Sequence, residues 1–166
     1  NWKRPKTEIS FLFNLLENFL TKSIEKLVEK KIKLKFIGEL NRLPLTLKKL
    51  IKISEKKTSK NTGIQINIAL NYGSKSELIN TLKLINKKNI KINEKNINDN
   101  LLTNNIPNPD LLIRTGDTQR LSNFMLWQLA YTEIFFEKKL WPDFNRIDFK
   151  KILDKFKNIK INFGSI

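Results

Sequence analysis

Two arginines and a serine lie close together in the chain at Arg114, Arg120 and Ser122. Arginine presents a planar fork of N–H donors that binds a phosphate or a carboxylate at two points, and a serine hydroxyl adds another donor. Only five of the 32 basic residues are arginine, so two arginines six positions apart favour a site where the fork geometry matters. We predict a phosphate or pyrophosphate site here. The alternatives are surface ion pairs for the arginines and helix capping by Ser122.

Glu133 is a carboxylate within the aromatic-rich segment that follows. Magnesium prefers oxygen ligands and usually shares them with the phosphates of a substrate. Glu133 is therefore a candidate Mg²⁺ ligand, or a residue that supports one, although an ordinary salt bridge to a residue such as Arg120 is equally open. Core or subunit interface is the prediction for the aromatic residues around it, because large aromatic side chains dominate both. These residues are Trp127, Tyr131, Phe135, Phe136 and Trp141.

The composition excludes several kinds of chemistry. The chain has no cysteine and no histidine, so disulfides, thiolate nucleophiles and imidazole acid–base or metal chemistry are absent. A net charge of +16 suggests a nucleic-acid partner. However, residues 1–105 hold 22 basic and nine acidic residues, whereas residues 106–166 hold ten and seven. Because the surplus is mainly lysine and lies mostly outside the candidate site, we expect no nucleic-acid partner.

Length and hydropathy bound the organisation of the protein. A chain of 166 residues predicts a single domain over residues 1–166. No apolar run approaches the roughly 20 residues that span a bilayer. No signal-peptide pattern opens the sequence. We expect a cytoplasmic protein. The opening at Asn1, without an initiator methionine, resembles the interior of a longer protein.

The elements that must position these residues alternate between helices and strands. Helical spacing of apolar residues predicts helices over residues 8–30, 44–57, 74–86, 94–102, 123–130 and 147–156. Short apolar or alternating runs predict strands over residues 32–38, 64–70, 111–115 and 133–136. This alternation favours an α/β fold with a mainly parallel central sheet flanked by helices. Ser74 and Glu77 have the spacing of a capping box at the start of the third helix.

Three of the predicted strands end in distinctive residues. These ends are Gly38-Glu39, Asn71-Tyr72-Gly73 and Arg114-Thr115-Gly116. Ligands of parallel sheets bind beyond the carboxyl ends of the strands. Convergence would bring Asn71 and the amides of glycine turns close to Arg114 and Arg120, a set of donors suited to a pyrophosphate.

The first predicted helix has more apolar surface than one contact with a sheet needs. Phe11, Leu15 and Phe19 form a second stripe beside the main apolar face. Packing against a neighbouring helix or subunit is one interpretation, and an apolar ligand tunnel is the other. If there is a tunnel, we expect Ile66, Ile68 and the stripe from Phe11 to Phe19 to line its wall.

Several segments together carry a family resemblance. They are Asn1-Trp2-Lys3-Arg4-Pro5, Phe36-Ile37-Gly38, Asn71-Tyr72-Gly73, Arg114-Thr115-Gly116, Arg120-Leu121-Ser122-Asn123-Phe124, Leu126-Trp127-Gln128-Leu129-Ala130-Tyr131, Glu133 and Leu140-Trp141-Pro142-Asp143-Phe144. Their order and their amino-acid sequences closely resemble those of the cis-prenyltransferases, the undecaprenyl diphosphate synthase family. The resemblance extends over nearly the whole chain.

The resemblance implies the condensation of isopentenyl diphosphate onto an allylic diphosphate, such as farnesyl diphosphate, with Mg²⁺ as the cofactor. The product would be a Z-polyprenyl diphosphate, such as the undecaprenyl diphosphate used as a cell-wall lipid carrier. The enzyme would be a homodimer with peripheral membrane contact for product release. By position, the resemblance places Arg114, Arg120 and Ser122 on the isopentenyl diphosphate and Glu133 at the metal. It implies that Asn1 helps to remove the proton or to position the substrate.

Asn1, Trp2 and Arg4 would belong to a flexible substrate loop, again by resemblance, and Trp2 would orient the chain. The family's Asp-Gly-Asn-Gly-Arg block, which carries a metal-binding aspartate, has no counterpart here, so we expect an N-terminally truncated fragment that is inactive alone. Lys35, Lys75, Asp117-Thr118 and Asn162 also depart from the family pattern. A non-catalytic partner subunit of such an enzyme is therefore the alternative, and a basic nucleic-acid binder is a weaker one.

Overall fold

The computed structural model describes residues 4–159, so the predictions for Asn1, Trp2 and Asn162 lie outside the described residues. The chain divides into two compact units, Asn1–Tyr72 and Gly73–Ile166. The single domain over residues 1–166 stays a prediction. None of the described helices is long and apolar enough to cross a bilayer.

The first unit contains two long helices and two strands. In chain order it has α1 (Lys6–Glu29), β1 (Lys33–Ile37), a 3-10 turn (Leu40–Arg42), α2 (Leu45–Thr58) and β2 (Gln65–Ala69). Strands β1 and β2 pair in parallel, with Lys33 opposite Gln65 and Ile37 opposite Ala69. The predicted elements of this unit are confirmed. Their parallel pairing is the one that the alternation of strands and helices predicts.

One face of α1 builds the core of this unit. The core consists of Leu20, Leu27, Leu34, Phe36, Leu43, Leu47 and Ile51, all buried. The first half of α1 differs, because Phe11, Leu15 and Phe19 remain 65%, 56% and 44% exposed. The second stripe predicted from the sequence therefore exists as a solvent-facing apolar surface rather than as core.

The second unit contains three helices and the other pair of strands. Its elements are α3 (Ser74–Lys87), α4 (Glu94–Asn100), β3 (Leu111–Thr115), β4 (Glu133–Glu137), a 3-10 turn (Trp141–Asp143) and α5 (Arg146–Lys157). Strands β3 and β4 are parallel, with Leu111 opposite Glu133 and Thr115 opposite Glu137. The predicted strand over residues 133–136 is confirmed. The α/β class with parallel strands is therefore correct in both units.

Two local predictions in the second unit are wrong. Residues 123–130 form turns rather than a helix, because Asn123 and Met125 have left-handed φ angles of 63° and 47°. Ser122 consequently has no helix of its own to cap. Ser74 and Glu77 do not form a capping box either, since the N-cap residue of α3 is Gly73. Their side chains instead accept hydrogen bonds from residues far away in the chain, Ser74 from Leu126 and Glu77 from Leu102 and Gln128.

Candidate functional site

Arg114 is held at the end of β3 by the loop that follows it. Its Nη1 donates hydrogen bonds to the backbone oxygen of Arg120 and to Ser122 Oγ, the second at 3.0 Å. The structure thus brings the side chains of Arg114 and Ser122 together, whereas Arg120 takes part through its backbone oxygen. Nη1 is bonded to the protein, whereas Nε and Nη2 of the fork form no hydrogen bond within residues 4–159 and can contact a ligand. The side chain of Arg120 is exposed. Their role as phosphate donors stays a prediction.

The loop over residues 116–125 has an unusual backbone. Gly116, Asp117, Ser122, Asn123 and Met125 all have positive φ angles. Phe124 N donates to Leu121 O at 3.0 Å, so Ser122 and Asn123 are the central residues of a turn with the φ pattern of type I′. Such conformations cost free energy for residues other than glycine and persist only where the surroundings enforce them. This concentration of strain directly after β3 supports a functional loop.

The N-terminus of α3 supplies part of that enforcement. The backbone oxygen of Asn123 accepts a hydrogen bond from Ser74 N, and Asn123 Oδ1 accepts one from Lys75 N, both at 2.9 Å. In return, Leu126 N donates to Ser74 Oγ at 3.0 Å. Asn123 therefore binds the first two free amides of α3, so that the loop itself satisfies these donors.

A buried polar network lies behind the same loop, and no local sequence signal predicts it. Glu77 is 4% exposed, yet its carboxylate accepts hydrogen bonds from Leu102 N at 2.9 Å and Gln128 Nε2 at 3.1 Å. Gln128 Nε2 also donates to Thr103 Oγ1 at 2.9 Å. Among the described residues, Gln128 Oε1 has no hydrogen-bond partner. The network joins α3 to the segments before and after β3 and so stabilises the region that carries Arg114.

Glu133 is not placed against the arginines. It is the first residue of β4 and lies opposite Leu111, whereas Arg114 lies opposite Phe136. Three residues along a strand correspond to about 10 Å. Within residues 4–159 no ion pair joins Glu133 to Arg120. The same residues contain no group of three or more acidic side chains that could hold a metal ion. Glu133 as a magnesium ligand stays a prediction.

The first unit contains an open apolar pocket of about 750 Å³. Its lining residues are Arg4, Ile9, Leu12, Phe13, Leu15, Leu16, Phe19, Leu43, Leu70 and Asn71. Most of the wall is α1 and includes Leu15 and Phe19 of the predicted stripe, but Phe11, Ile66 and Ile68 are not among the lining residues. The pocket thus combines hydrocarbon surface with one guanidinium and one amide, a mixture suited to a ligand with an apolar tail and a polar head.

Arg4 and Asn71 are both held by neighbours within this unit. Arg4 forms an ion pair with Glu8, one helical turn further along. Asn71 has a φ of 48°, and its Nδ2 donates to Glu39 O at 2.9 Å, while Glu39 N donates to Asn71 O at 3.2 Å. This reciprocal pair fixes the two polypeptide segments that leave β1 and β2. Asn71 and Arg4 belong to the first unit, and Arg114, Arg120 and Ser122 belong to the second.

Comparison with known proteins identifies the class. The family described as putative undecaprenyl diphosphate synthase matches residues 1–164. The isoprenyl transferase of Oceanobacillus iheyensis is 41% identical over all of this chain and 69% of its own length. That of Prochlorococcus marinus subsp. pastoris is 44% identical, over all of this chain and 64% of its own length. The chain therefore spans about two thirds of the length of these curated relatives.

Solved structures agree with the sequence relatives. The crystal structure of a probable undecaprenyl diphosphate synthase from Campylobacter jejuni is 38% identical, with a TM-score of 0.91 over 99% of this chain and 78% of that one. Lavandulyl diphosphate synthase from Lavandula x intermedia, solved with dimethylallyl diphosphate, is 35% identical, with a TM-score of 0.93 over 99% of this chain and 75% of that one. The fold and the sequence together define a prenyl chain transferase. The chain belongs to the undecaprenyl diphosphate synthase family, which confirms the resemblance.

Proposed function

We propose that this protein condenses isopentenyl diphosphate onto an allylic diphosphate, such as farnesyl diphosphate, to form a Z-polyprenyl diphosphate. The observation that carries the proposal is the Arg114–Arg120–Ser122 loop within a chain of this family. Undecaprenyl diphosphate as the product, and its use as a cell-wall lipid carrier, belong to the same proposal. So do a cytoplasmic location and release of the product at a membrane.

The Arg114 loop would bind the diphosphate of isopentenyl diphosphate. Its fork is oriented before any ligand arrives, because Nη1 is already bonded to Arg120 O and Ser122 Oγ. The free Nε and Nη2 donors, with the exposed guanidinium of Arg120, can then contact phosphate oxygens. Binding in this way would hold the isopentenyl double bond in one orientation for attack on the allylic carbon. Orientation of two reactants is a large part of what such a catalyst supplies.

The apolar pocket of the first unit would bind the hydrocarbon tail of the allylic substrate. The lining residues between Leu12 and Phe19 all have apolar side chains. Burial of a prenyl chain in this pocket would stabilise the complex by about 25 cal/mol for each Å² of apolar surface removed from water. Arg4 and Asn71 in the lining are suited to the polar end of such a ligand. Trp2 and Asn1, as parts of the substrate loop, remain within this proposal.

Mg²⁺ fits the residues only if the substrate supplies most of its ligands. Glu133 is half-buried, and no ion pair engages its carboxylate in the described part of the chain. One carboxylate together with diphosphate oxygens is a usual environment for Mg²⁺. When bound, the ion would neutralise the charge that develops on the departing diphosphate. Glu133 would hold it, and Arg114 and Arg120 would neutralise the other diphosphate.

A homodimer also belongs to the proposal. In the second unit, Trp141 and Tyr131 are 75% and 68% exposed, and large exposed aromatics are typical of subunit interfaces. Light scattering should give twice the monomer mass, and Trp141→Glu should lower it. Ile64→Glu changes an equally exposed apolar residue of the first unit and should leave the mass unchanged. A monomeric wild-type protein would contradict this part of the proposal.

The test of the reaction is incorporation of labelled isopentenyl diphosphate by the full gene product, with farnesyl diphosphate and Mg²⁺. We expect Z-polyprenyl diphosphate, no product in EDTA, and a rate at least 100-fold lower for Arg114→Ala, as for other groups that stabilise transition-state charge. Arg146→Ala is the matched control, because Arg146 is an exposed arginine at the start of α5. A full gene product that forms no Z-polyprenyl diphosphate would refute the proposal and favour a partner subunit.

A further inference from the structure

Asn123 connects the loop over residues 116–125, which follows Arg114, to the N-terminus of α3. It is the second central residue of the Leu121–Phe124 turn, with φ 63°, next to Ser122 with φ 49°. Asparagine tolerates this left-handed conformation better than most residues do. The residue type is therefore suited to the turn, independently of any contact that its side chain makes.

The side chain of Asn123 performs a second task. Its Oδ1 accepts from Lys75 N at 2.9 Å, and its backbone oxygen accepts from Ser74 N at 2.9 Å. The N-cap residue of α3, Gly73, has no side chain to do this. A Cβ at Gly73 would lie 2.8 Å from Asn123 Nδ2. Asn123 thus caps α3 from a distant part of the chain, and the small residue at position 73 makes room for it.

We propose that Asn123 is a positioning residue for the diphosphate of isopentenyl diphosphate. By capping α3 it fixes the left-handed turn, the turn places Ser122 Oγ 3.0 Å from Arg114 Nη1, and this bond orients the guanidinium fork. The inference rests on the proposed function. It adds a residue that touches neither substrate and acts only through Ser122 and Arg114.

Two substitutions separate the tasks of Asn123. Asn123→Gly keeps the left-handed backbone and the backbone acceptor for Ser74 N, but removes Oδ1. Asn123→Asp keeps an acceptor for Lys75 N and tolerates the same φ. Its added charge is screened by measuring in about 0.3 M salt. The matched control is Asn93→Gly, which removes a comparable cap, since Asn93 Oδ1 accepts from Asn96 N at 2.8 Å at the start of α4.

The experiment measures both KM values and kcat of the full gene product. We expect Asn123→Gly to raise the KM for isopentenyl diphosphate about tenfold, with kcat and the KM for the allylic substrate changed less than twofold. About tenfold corresponds to one displaced hydrogen-bonded contact. Asn123→Asp should return this KM to within about twofold of wild type. Asn93→Gly should lower the melting temperature about as much as Asn123→Gly, with no change in either KM.

Two outcomes overturn the inference: an unchanged KM for isopentenyl diphosphate in Asn123→Gly, or an equal rise in Asn93→Gly. Titration of the same proteins with inorganic pyrophosphate separates the inference from the proposed function. If the wild-type protein forms no product but binds pyrophosphate about tenfold more tightly than Asn123→Gly does, the positioning role stands and the proposed reaction falls. If the wild-type protein neither forms product nor binds pyrophosphate, both fall.

Discussion

Replacing Glu77 by alanine would show how strongly the buried network holds the second unit together. The carboxylate accepts bonds from Leu102 N and Gln128 Nε2 in a site that is 4% exposed. Removing it leaves Gln128 Nε2 in a buried position and Leu102 N in a part-buried one without that acceptor, and a buried donor that loses its acceptor costs about 1–3 kcal/mol. Because water can reach the region of Leu102 and Gln128 Nε2 keeps its bond to Thr103, we expect Glu77→Ala to lower the free energy of unfolding by about 2–4 kcal/mol. That is a large share of the roughly 5–15 kcal/mol that stabilises a typical domain.

A second variant tests whether the network recovers when one acceptor oxygen is kept at position 77. Glu77→Gln keeps one acceptor oxygen and introduces an N–H group. Gln128 can meet that group by turning its amide, because its Oε1 has no partner in the described part of the chain. We therefore expect this variant to lose only about 1–2 kcal/mol. Urea unfolding followed by circular dichroism measures both losses as changes in midpoint at constant slope.

Glu94→Ala is the control for these variants. Glu94 also lies in the first turn of a helix, but its side chain is exposed. Its removal should change the free energy of unfolding by no more than about 0.5 kcal/mol. If Glu77→Ala loses as little as Glu94→Ala, the network does not stabilise the unit and the reasoning fails. If Glu77→Gln loses as much as Glu77→Ala, the assignment of the Gln128 amide is wrong.

Three further changes test other parts of the structure. Gly38→Ala places a Cβ 1.9 Å from Leu70 O at a φ of 122°, so we expect a loss of at least about 3 kcal/mol; an unchanged melting temperature would contradict the close approach. The Lys139 ammonium holds the pKa of Asp148 below its usual range. The stability from this pair is present above the unfolded pKa of about 3.9 and is lost as pH falls through the lower folded pKa. The free energy of unfolding of Asp148→Asn should therefore depend less on acidic pH than that of the wild-type protein, and identical pH profiles would refute the pairing. Arg114→Lys keeps a charge but loses the fork, so the KM for isopentenyl diphosphate should rise at least about tenfold; an unchanged KM would show that the fork is not used.

The regular elements could be predicted because their signals are local. The strands over residues 64–70 and 111–115 lie within about a residue of β2 and β3. The helix over 147–156 corresponds to α5, which begins with a capping box between Asn145 and Asp148. Periodicity and capping depend on residues a few positions apart, and a single sequence contains them.

The loop over residues 116–125 could be only partly predicted, because long-range contacts determine its backbone conformation. The apolar spacing of residues 123–130 predicts a helix, but Asn123 binds the amides of α3 and Leu126 N binds Ser74 Oγ. Those partners are about 50 positions away in the chain. The same contacts explain the failed capping box, since Ser74 and Glu77 are engaged by distant segments. Residue types suggest the donors, a role that stays a prediction, whereas the bonds that orient Arg114 depend on tertiary structure.

The internal bonds of Arg114 also determine when its conformational entropy is lost. A mobile arginine side chain carries about 2 kcal/mol of rotamer entropy, which ordering removes. Because Nη1 of Arg114 is bonded to Arg120 O and Ser122 Oγ, most of that loss occurs when the chain folds and not when an anion binds. The exposed side chain of Arg120 has no such bonds among the described residues. If these residues bind a diphosphate as proposed, the entropic penalty of binding would therefore fall mainly on Arg120, because the side chain of Arg114 is ordered in advance.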